Sequence, residues 1–112
     1  MSAFSCVIVP EARGLVLQVN GTLDYESVRD FDRAADELVS QTPKRVVLDA
    51  SGLSYLNSAG IGVIMKLNRR LQEAQAELRL ASVQPDVQRM LKTCFLDRVL
   101  KICERVEDAL GD

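Results

Sequence analysis

Strand-like and helix-like patterns of apolar residues alternate along the chain, and this alternation restricts the fold more than any other feature of the sequence. Residues 45–49 have three consecutive aliphatic residues at their centre, Val46, Val47 and Leu48, a pattern that is typical of a strand buried on both faces. Apolar residues at helical spacing precede this run over residues 25–40 and follow it over residues 58–76. A helix that connects two such strands crosses over the sheet, so we predict that the strands pair in parallel.

The remaining segments extend this order to an α/β fold with a mixed sheet. Two runs near the start of the chain are joined by a turn over residues 10–14, which predicts an antiparallel hairpin. Residues 50–56 are predicted to be a loop, and Asp24 is predicted to cap the first helix. The chain of 112 residues has the length of one domain, residues 1–112. The order is β-β-α-β-α-β-α-β-α, with strands predicted at residues 3–9, 15–19, 45–49, 78–81 and 99–102 and helices at residues 25–40, 58–76, from Pro85 onward and at 106–110.

Composition excludes several classes of function. The chain has 14 basic and 16 acidic residues and a net charge of -2, so it has no general electrostatic attraction to nucleic acid or anionic lipid. It contains no histidine, which excludes Ser-His-Asp and Cys-His nucleophile systems and imidazole metal ligands. No set of acid, base and nucleophile can be assigned, so we expect neither an enzyme nor a bound cofactor or metal.

The cysteines and the apolar segments indicate a cytoplasmic protein. Cys6, Cys94 and Cys103 are odd in number and lack metal-ligand spacing, so we expect reduced and mostly buried thiols. Residues 1–11 lack the basic start and the long apolar run of a signal peptide. Residues 61–67, the longest mostly apolar stretch, are too few to span a bilayer, so we expect no membrane insertion.

The predicted helix over residues 58–76 has two distinct faces. At about 100° per residue, one side of the helix gathers apolar residues and is predicted to lie against the core. The opposite side combines a serine, a glycine, a methionine and an arginine, and we predict that it is exposed and suits adaptable docking. The core face consists of Gly60, Val63, Ile64, Leu67, Leu71 and Ala74, and the exposed face of Ser58, Gly62, Met65 and Arg69, with Ile61 on its flank.

Two interpretations of Ser58 follow from its place at the start of this helix. Serine is a preferred N-cap, and capping is the more common role for such a residue. Asn57 is also a good cap, and if it caps the helix, Ser58 keeps a free hydroxyl in the first turn. Gly60 and Gly62 each disfavour a helix by about 1 kcal/mol relative to alanine, which indicates that something approaches this backbone closely. A nucleotide loop is not indicated, because Met65 stands where a dinucleotide motif requires its third glycine.

The segment over residues 46–60 resembles the signature of the STAS domain, and most closely that of bacterial anti-sigma factor antagonists. That signature is an apolar strand ending in Asp, then Ser/Thr-Gly-apolar, two variable residues, an apolar residue and Asp-Ser-Ser/Ala-Gly. Residues 21–24 resemble the family's turn before the first helix, and similarity extends through residues 87–96 and 107–110, so it spans nearly the whole chain. The matching central residues are Asp49, Ser51, Gly52, Leu53, Leu56, Ser58, Ala59 and Gly60, and Asn57 stands at the second Asp of the signature.

The resemblance implies a mixed sheet with helices packed mainly on one face, and it assigns roles to particular residues. The phosphoacceptor serine of the family falls on Ser58, and the acidic residue near that site falls on Asp24. Asn57 replaces the more common aspartate before the acceptor, and Cys94 stands where a helix-ending glycine is usual. The helix face and the resemblance together predict a partner-binding surface of Asp24, Asn57, Ser58, Ala59, Gly60, Ile61, Gly62, Met65 and Arg69.

The function implied by the resemblance is regulation of sigma-factor-dependent transcription. The unphosphorylated chain would sequester an anti-sigma factor that is also a serine kinase, phosphorylation of Ser58 would break the contact, and a serine phosphatase would reset it. An alternative is a STAS subunit of a membrane lipid-transport complex or of a stressosome-like scaffold, which docks permanently without phosphorylation. Asn57 favours this alternative, and neither role requires direct contact with nucleic acid.

Overall fold

The computed structural model of the chain describes residues 4–111. It confirms the predicted order of strands and helices and adds one 3-10 turn before the last strand. Ala3, with which the first predicted strand begins, lies outside the described residues. No helix in this part of the chain has the length and apolar character needed to cross a membrane. The strands are β1 (Ser5–Glu11), β2 (Gly14–Leu23), β3 (Arg45–Leu56), β4 (Glu77–Ala81) and β5 (Lys101–Cys103); the helices are α1 (Val28–Ser40), α2 (Ser58–Glu73), α3 (Pro85–Thr93) and α4 (Val106–Leu110); and the 3-10 turn is Leu96–Arg98.

A five-stranded mixed sheet in the order β1-β2-β3-β4-β5 forms the centre of the molecule. β1 and β2 pair antiparallel, and the other neighbours pair in parallel because α1, α2 and α3 each cross over the sheet. These three helices pack on one face against the larger core, which includes Phe31, Leu48 and Leu67. On the other face, α4 contributes Ala109 to a smaller cluster with Val47. The prediction of helices mainly on one face is therefore confirmed.

The prediction of a loop over residues 50–56 is wrong, because β3 continues to Leu56. β2 also continues beyond its predicted end, to Leu23, and the two extensions pair with each other. Register shifts interrupt this pairing, and the buried residues Leu53 and Leu56 are three positions apart rather than two. The alternation expected of a strand is therefore missing from the sequence, although the strand carries the chain directly to the start of α2.

The prediction that Asp24 caps α1 is also wrong, because a turn separates it from the helix start at Val28. In this turn the Asp24 carboxylate accepts a hydrogen bond from the Glu26 N–H at 3.0 Å. The Ser27 hydroxyl donates to the Thr22 carbonyl at 2.7 Å and accepts from the Asp24 N–H at 2.9 Å. The two hydrogen bonds of Ser27 thus hold the turn against the end of β2, and they fix the position of Asp24.

Three further differences concern the ends of helices and strands. α2 ends at Glu73, so Ala74, which was predicted on the core face, lies beyond the helix and is exposed. β5 begins at Lys101 rather than at residue 99, because the chain first makes the 3-10 turn.

After α3, the residue with a left-handed backbone is Phe95, with φ of 61°, whereas Cys94 has φ of -91°. Position 94 therefore has a backbone conformation that does not require glycine, and this explains why cysteine is accepted there.

The three cysteines are free, as expected, but they are less buried than expected. Cys94 is exposed, and Cys6 and Cys103 are half-buried. Burial, together with the nearby Asp30 carboxylate, raises the pKa of the Cys6 thiol to about 12. Cys6 is therefore protonated and unreactive near neutral pH.

Candidate functional site

The residues predicted to form the site follow two neighbouring strand ends. β2 ends at Leu23 and β3 ends at Leu56, and these two residues are paired. The Asn57 N–H donates a hydrogen bond to the Leu23 carbonyl at 3.3 Å, which holds the start of α2 against the end of β2. The structure thus brings Asp24 and Ser58 to the same edge of the sheet. The carboxyl ends of parallel strands meet at this edge, a common location for functional residues in α/β proteins.

Gly60 is buried and allows α2 to approach the strand ends closely. A Cβ at this position would lie 2.5 Å from the Leu23 carbonyl oxygen and 3.1 Å from the Leu56 Cβ. The close approach predicted at this glycine is therefore made by the protein's own strands. Gly60 lies beneath the predicted partner surface rather than in it, and it sets the position of the first turn of α2.

The cap of α2 is Asn57, which decides between the two interpretations of Ser58. The Asn57 side-chain oxygen accepts hydrogen bonds from the Ala59 N–H at 3.0 Å and from the Gly60 N–H at 3.2 Å. Ser58 is the first residue of the helix and is exposed. Its hydroxyl makes no hydrogen bond to any residue between 4 and 111. Ser58 therefore presents a free hydroxyl to solvent, and the capped helix does not depend on it.

An outward-facing row of side chains continues from Ser58 along the helix, as predicted. Ser58, Gly62 and Arg69 are exposed, and Ile61 and Met65 are half-buried at the margin of the larger core. We call these five residues the α2 strip. The exposure of Ser58, Gly62 and Arg69 agrees with the two-faced helix that the sequence predicts, since the opposite side carries buried leucine and isoleucine. Met65, which was predicted to be exposed, is only partly so, because it packs against the larger core.

Salt bridges to α1 occupy two of the three basic residues of α2. Arg70 pairs with Asp36 at 2.8 Å, and Lys66 pairs with Asp32 at 3.8 Å. Arg69, at the far end of the α2 strip, has no ion pair within the part of the chain that the structure describes. The α2 strip therefore has a small and apolar middle and an uncompensated positive charge at one end.

Two tyrosines at the same edge of the sheet were not part of the predicted surface. Tyr25 lies in the turn after β2 and is 74% exposed, and Tyr55 lies near the end of β3 and is 52% exposed. Tyrosine is enriched at protein–protein interfaces, because it combines a large apolar ring with a polar end. A signal for them was present in the sequence, since they are its two tyrosines and each stands within three residues of Asp24 or Ser58.

The chemistry available at this edge is that of a modifiable hydroxyl on a docking surface. The N-terminus of α2 carries a partial positive charge that favours an added anion, and its first turn contains no acidic residue. Across residues 4–111, no three His, Cys, Asp or Glu side chains lie close enough together to hold a metal ion. The arrangement suits the acceptance of a phosphate by Ser58 and contact with a protein along the α2 strip.

The STAS domain family model matches residues 5–109. The chain therefore belongs to the STAS domain family.

Known proteins similar to this chain include anti-sigma factor antagonists. A STAS-domain containing protein of Pseudomonas aeruginosa is 32% identical over 96 residues, which cover 84% of this chain and 94% of that protein. An anti-sigma F factor antagonist of Paenibacillus polymyxa is 25% identical over 99 residues, which cover 88% of this chain and 85% of that protein. The crystal structure of an anti-sigma factor antagonist from Mycobacterium paratuberculosis has a TM-score of 0.88 at 19% identity and covers 96% of this chain and 92% of that one.

Proposed function

We propose that this chain is an anti-sigma factor antagonist whose binding is switched off by phosphorylation of Ser58. In this proposal the unphosphorylated chain binds an anti-sigma factor through the α2 strip and the Asp24 turn, and a sigma factor is thereby released. The chain is a regulatory binding module rather than an enzyme, and it acts in the cytoplasm, where sigma factors act. The observation that carries the proposal is the exposed Ser58 hydroxyl, which the Asn57 cap leaves without a structural role.

The phosphoryl transfer itself requires a kinase, and we propose that the captured anti-sigma factor supplies it. The γ-phosphoryl group of ATP would form a bond to the Ser58 Oγ as its bond to the β-phosphate oxygen breaks. The hydroxyl proton would pass to a base on the kinase. A serine phosphatase would hydrolyse the phosphoserine and restore the binding form.

The effect of the phosphate on the fold is too small to switch binding, so we expect its main energetic effect to arise in the complex. A phosphate adds roughly -1.5 to -2 charges, and at a helix N-terminus a negative charge stabilises the helix by about 0.3–1 kcal/mol. Turning a binding equilibrium from mostly on to mostly off requires about 5.5 kcal/mol. That difference has to arise where a dianion meets a desolvated partner surface, and Asp24 adds further negative charge at the same edge.

Binding to two Ser58 variants tests the switch. Each anti-sigma factor kinase encoded in the same genome is purified and titrated with Ser58→Ala and Ser58→Asp by isothermal titration calorimetry. We expect one kinase to bind Ser58→Ala as tightly as wild type and to bind Ser58→Asp at least about 100-fold more weakly, a difference of about 2.7 kcal/mol. Ser40→Asp adds the same charge at the opposite end of the sheet and is expected to bind normally. Incubation with that kinase and ATP should place a phosphate on Ser58, as located by mass spectrometry.

The same titrations distinguish permanent docking, as in a transporter subunit or a scaffold. In permanent docking to a transporter or scaffold, no kinase would modify Ser58, and the anti-sigma factor kinases would bind neither wild type nor Ser58→Ala. Equal affinities of a kinase for Ser58→Ala and Ser58→Asp would refute the phosphorylation switch, and the absence of any kinase binding would favour the alternative that Asn57 suggested.

A further inference from the structure

Gly62 differs from the other glycines near the site, because no packing contact among residues 4–111 requires it. A Cβ at Gly60 would meet the Leu23 carbonyl oxygen at 2.5 Å, and a Cβ at Gly52 would overlap the Asn20 side-chain oxygen. A Cβ at Gly62 would have no neighbour within 4 Å in the part of the chain that the structure describes. Gly62 lies in the interior of α2, where glycine is less favourable than every other residue except proline. The helix therefore keeps a destabilising residue that its own packing does not explain.

Because Gly62 has no side chain and the space above it is open, the row of side chains in the α2 strip has a gap at its middle, which we call the depression. On a helix, the residues that surround position 62 are those three and four positions away, here Ser58, Ala59, Met65 and Lys66, together with the adjacent Ile61. Lys66 is paired with Asp32 of α1, so the depression is lined mainly by apolar and small groups. A single side chain of a partner fits such a depression in the way that a knob enters a hole between packed helices.

The charge pattern of the strip adds a second requirement on the partner. Arg69 lies seven residues beyond Gly62, which is two helical turns or about 10 Å along the axis. It is exposed and has no ion pair to any residue from 4 to 111. A complementary surface therefore has a carboxylate about two turns away from its apolar knob.

We propose that Gly62 is a socket for one apolar side chain on a helix of the anti-sigma factor, and that Arg69 pairs with a carboxylate on that same helix. This inference rests on the proposed function and defines the surface that the partner presents. It also indicates where a phosphate would disturb the contact, because Ser58 lies one helical turn from Gly62. A phosphate on Ser58 would border the socket and place a dianion beside the apolar side chain of the partner.

Filling the socket tests the inference with two independent measurements. Gly62→Ala and Gly62→Leu are compared with Gln88→Leu, which adds the same side chain at an exposed position of α3, beside Cys103 and Glu104. Thermal unfolding is followed by circular dichroism, and affinity is titrated against each anti-sigma factor kinase encoded in the same genome. We expect Gly62→Ala to raise the unfolding midpoint by a few degrees and to weaken binding about tenfold or more. We expect Gly62→Leu to weaken binding further, Arg69→Glu to weaken it at least tenfold, and Gln88→Leu to bind as wild type does.

The outcomes separate the socket from the phosphorylation switch. If Gly62→Ala and Gly62→Leu bind as tightly as wild type while Ser58→Asp does not bind, the socket is overturned and the switch stands. If Gly62→Ala lowers the unfolding midpoint, the glycine has an internal role and the inference is overturned. If Ser58→Asp also binds normally, or if no kinase binds the wild-type chain, the proposed function fails together with the inference.

Discussion

At the start of α2, Asn57 caps the helix and Ser58 presents a free hydroxyl to solvent, so the two roles belong to two different residues. The Asn57 side chain accepts hydrogen bonds from the N–H groups of Ala59 and Gly60, so these two amides of the first turn are satisfied without the Ser58 hydroxyl. Modification of the serine therefore removes no hydrogen bond from the fold. Aspartate, the residue more common at this position in the family, would cap as well but would place a negative charge beside the proposed phosphoacceptor. Asparagine keeps the cap and leaves the proposed partner surface with one negative charge fewer.

Removal of the cap is expected to weaken the fold measurably. We expect Asn57→Ala to lower the free energy of unfolding by about 1 kcal/mol, because the Ala59 and Gly60 N–H groups lose their acceptor. Asn57→Asp is the matched control and should retain the stability of wild type, since aspartate is an equally good cap and its charge favours a helix N-terminus. Urea unfolding followed by circular dichroism measures both variants. If Asn57→Ala unfolds at the wild-type midpoint, the capping role is wrong.

Among the secondary structure elements, α2 could be predicted from the sequence and the end of β3 could not. The start of α2 at Ser58 and its buried positions Ile64 and Leu67 follow from helical periodicity, which is a property of local sequence. The last part of β3 is held by pairing with the end of β2, a segment distant in the chain, and register shifts remove the alternation that would reveal a strand. The choice of Asn57 as the cap was open for a different reason, since two adjacent residues suited the role equally and the backbone geometry decided between them.

A buried arginine that attaches α4 to the sheet also could not be predicted from a local pattern. Arg79 of β4 is 5% exposed, and its guanidinium donates to the Ala109 carbonyl at 3.1 Å and to the Gly111 carbonyl at 3.0 Å. It also pairs with Glu77 at 3.0 Å, and this hydrogen bond holds the pKa of the Glu77 carboxyl below its ordinary value. The carbonyl groups that compensate the burial of Arg79 lie at the end of α4, and that of Ala109 is 30 residues away in the chain. Strand periodicity is a local pattern and cannot reveal such distant partners, so on its own it suggests an ordinary exposed arginine.

The contribution of Glu77 to stability is expected to depend on pH. Because its pKa is lower in the folded chain than its ordinary value of 4.5, ionised Glu77 stabilises the fold above that pH. The stabilisation is lost as the pH falls through the lower, folded-state pKa. We expect Glu77→Gln to be less stable than wild type at pH 7 by less than about 1 kcal/mol, since the carboxylate is partly exposed. In urea unfolding the difference should shrink steadily below pH 4.5, and a difference that stays constant down to pH 2.5 would contradict this role.

At the scale of the whole molecule, helices cover both faces of the sheet, whereas the edge at the carboxyl ends of its parallel strands carries exposed residues that a partner can reach. α1, α2 and α3 pack against the larger core on one face, and α4 packs against the smaller cluster on the other. Ser58, Asp24 and both tyrosines lie at the available edge, outside both cores. The buried residues of α2, such as Leu67 and Leu71, are on the side of the helix that faces away from the α2 strip. A change of charge at Ser58 therefore requires no rearrangement of either core.

This separation predicts that the phosphorylated chain remains folded while it loses its partner. A negative charge at the N-terminus of α2 stabilises the helix by about 0.3–1 kcal/mol, so the thermal midpoint of Ser58→Asp should equal or exceed that of wild type by a few degrees at most. Ser40→Asp places the same charge at the C-terminal end of α1, where the helix dipole disfavours it, and its midpoint should fall slightly. Circular dichroism melts of both variants and of the enzymatically phosphorylated chain measure this contrast. A midpoint lowered by 10 °C or more in the phosphorylated chain would mean that the phosphate acts by unfolding the domain, and the switch would then belong to the fold rather than to the surface of the complex.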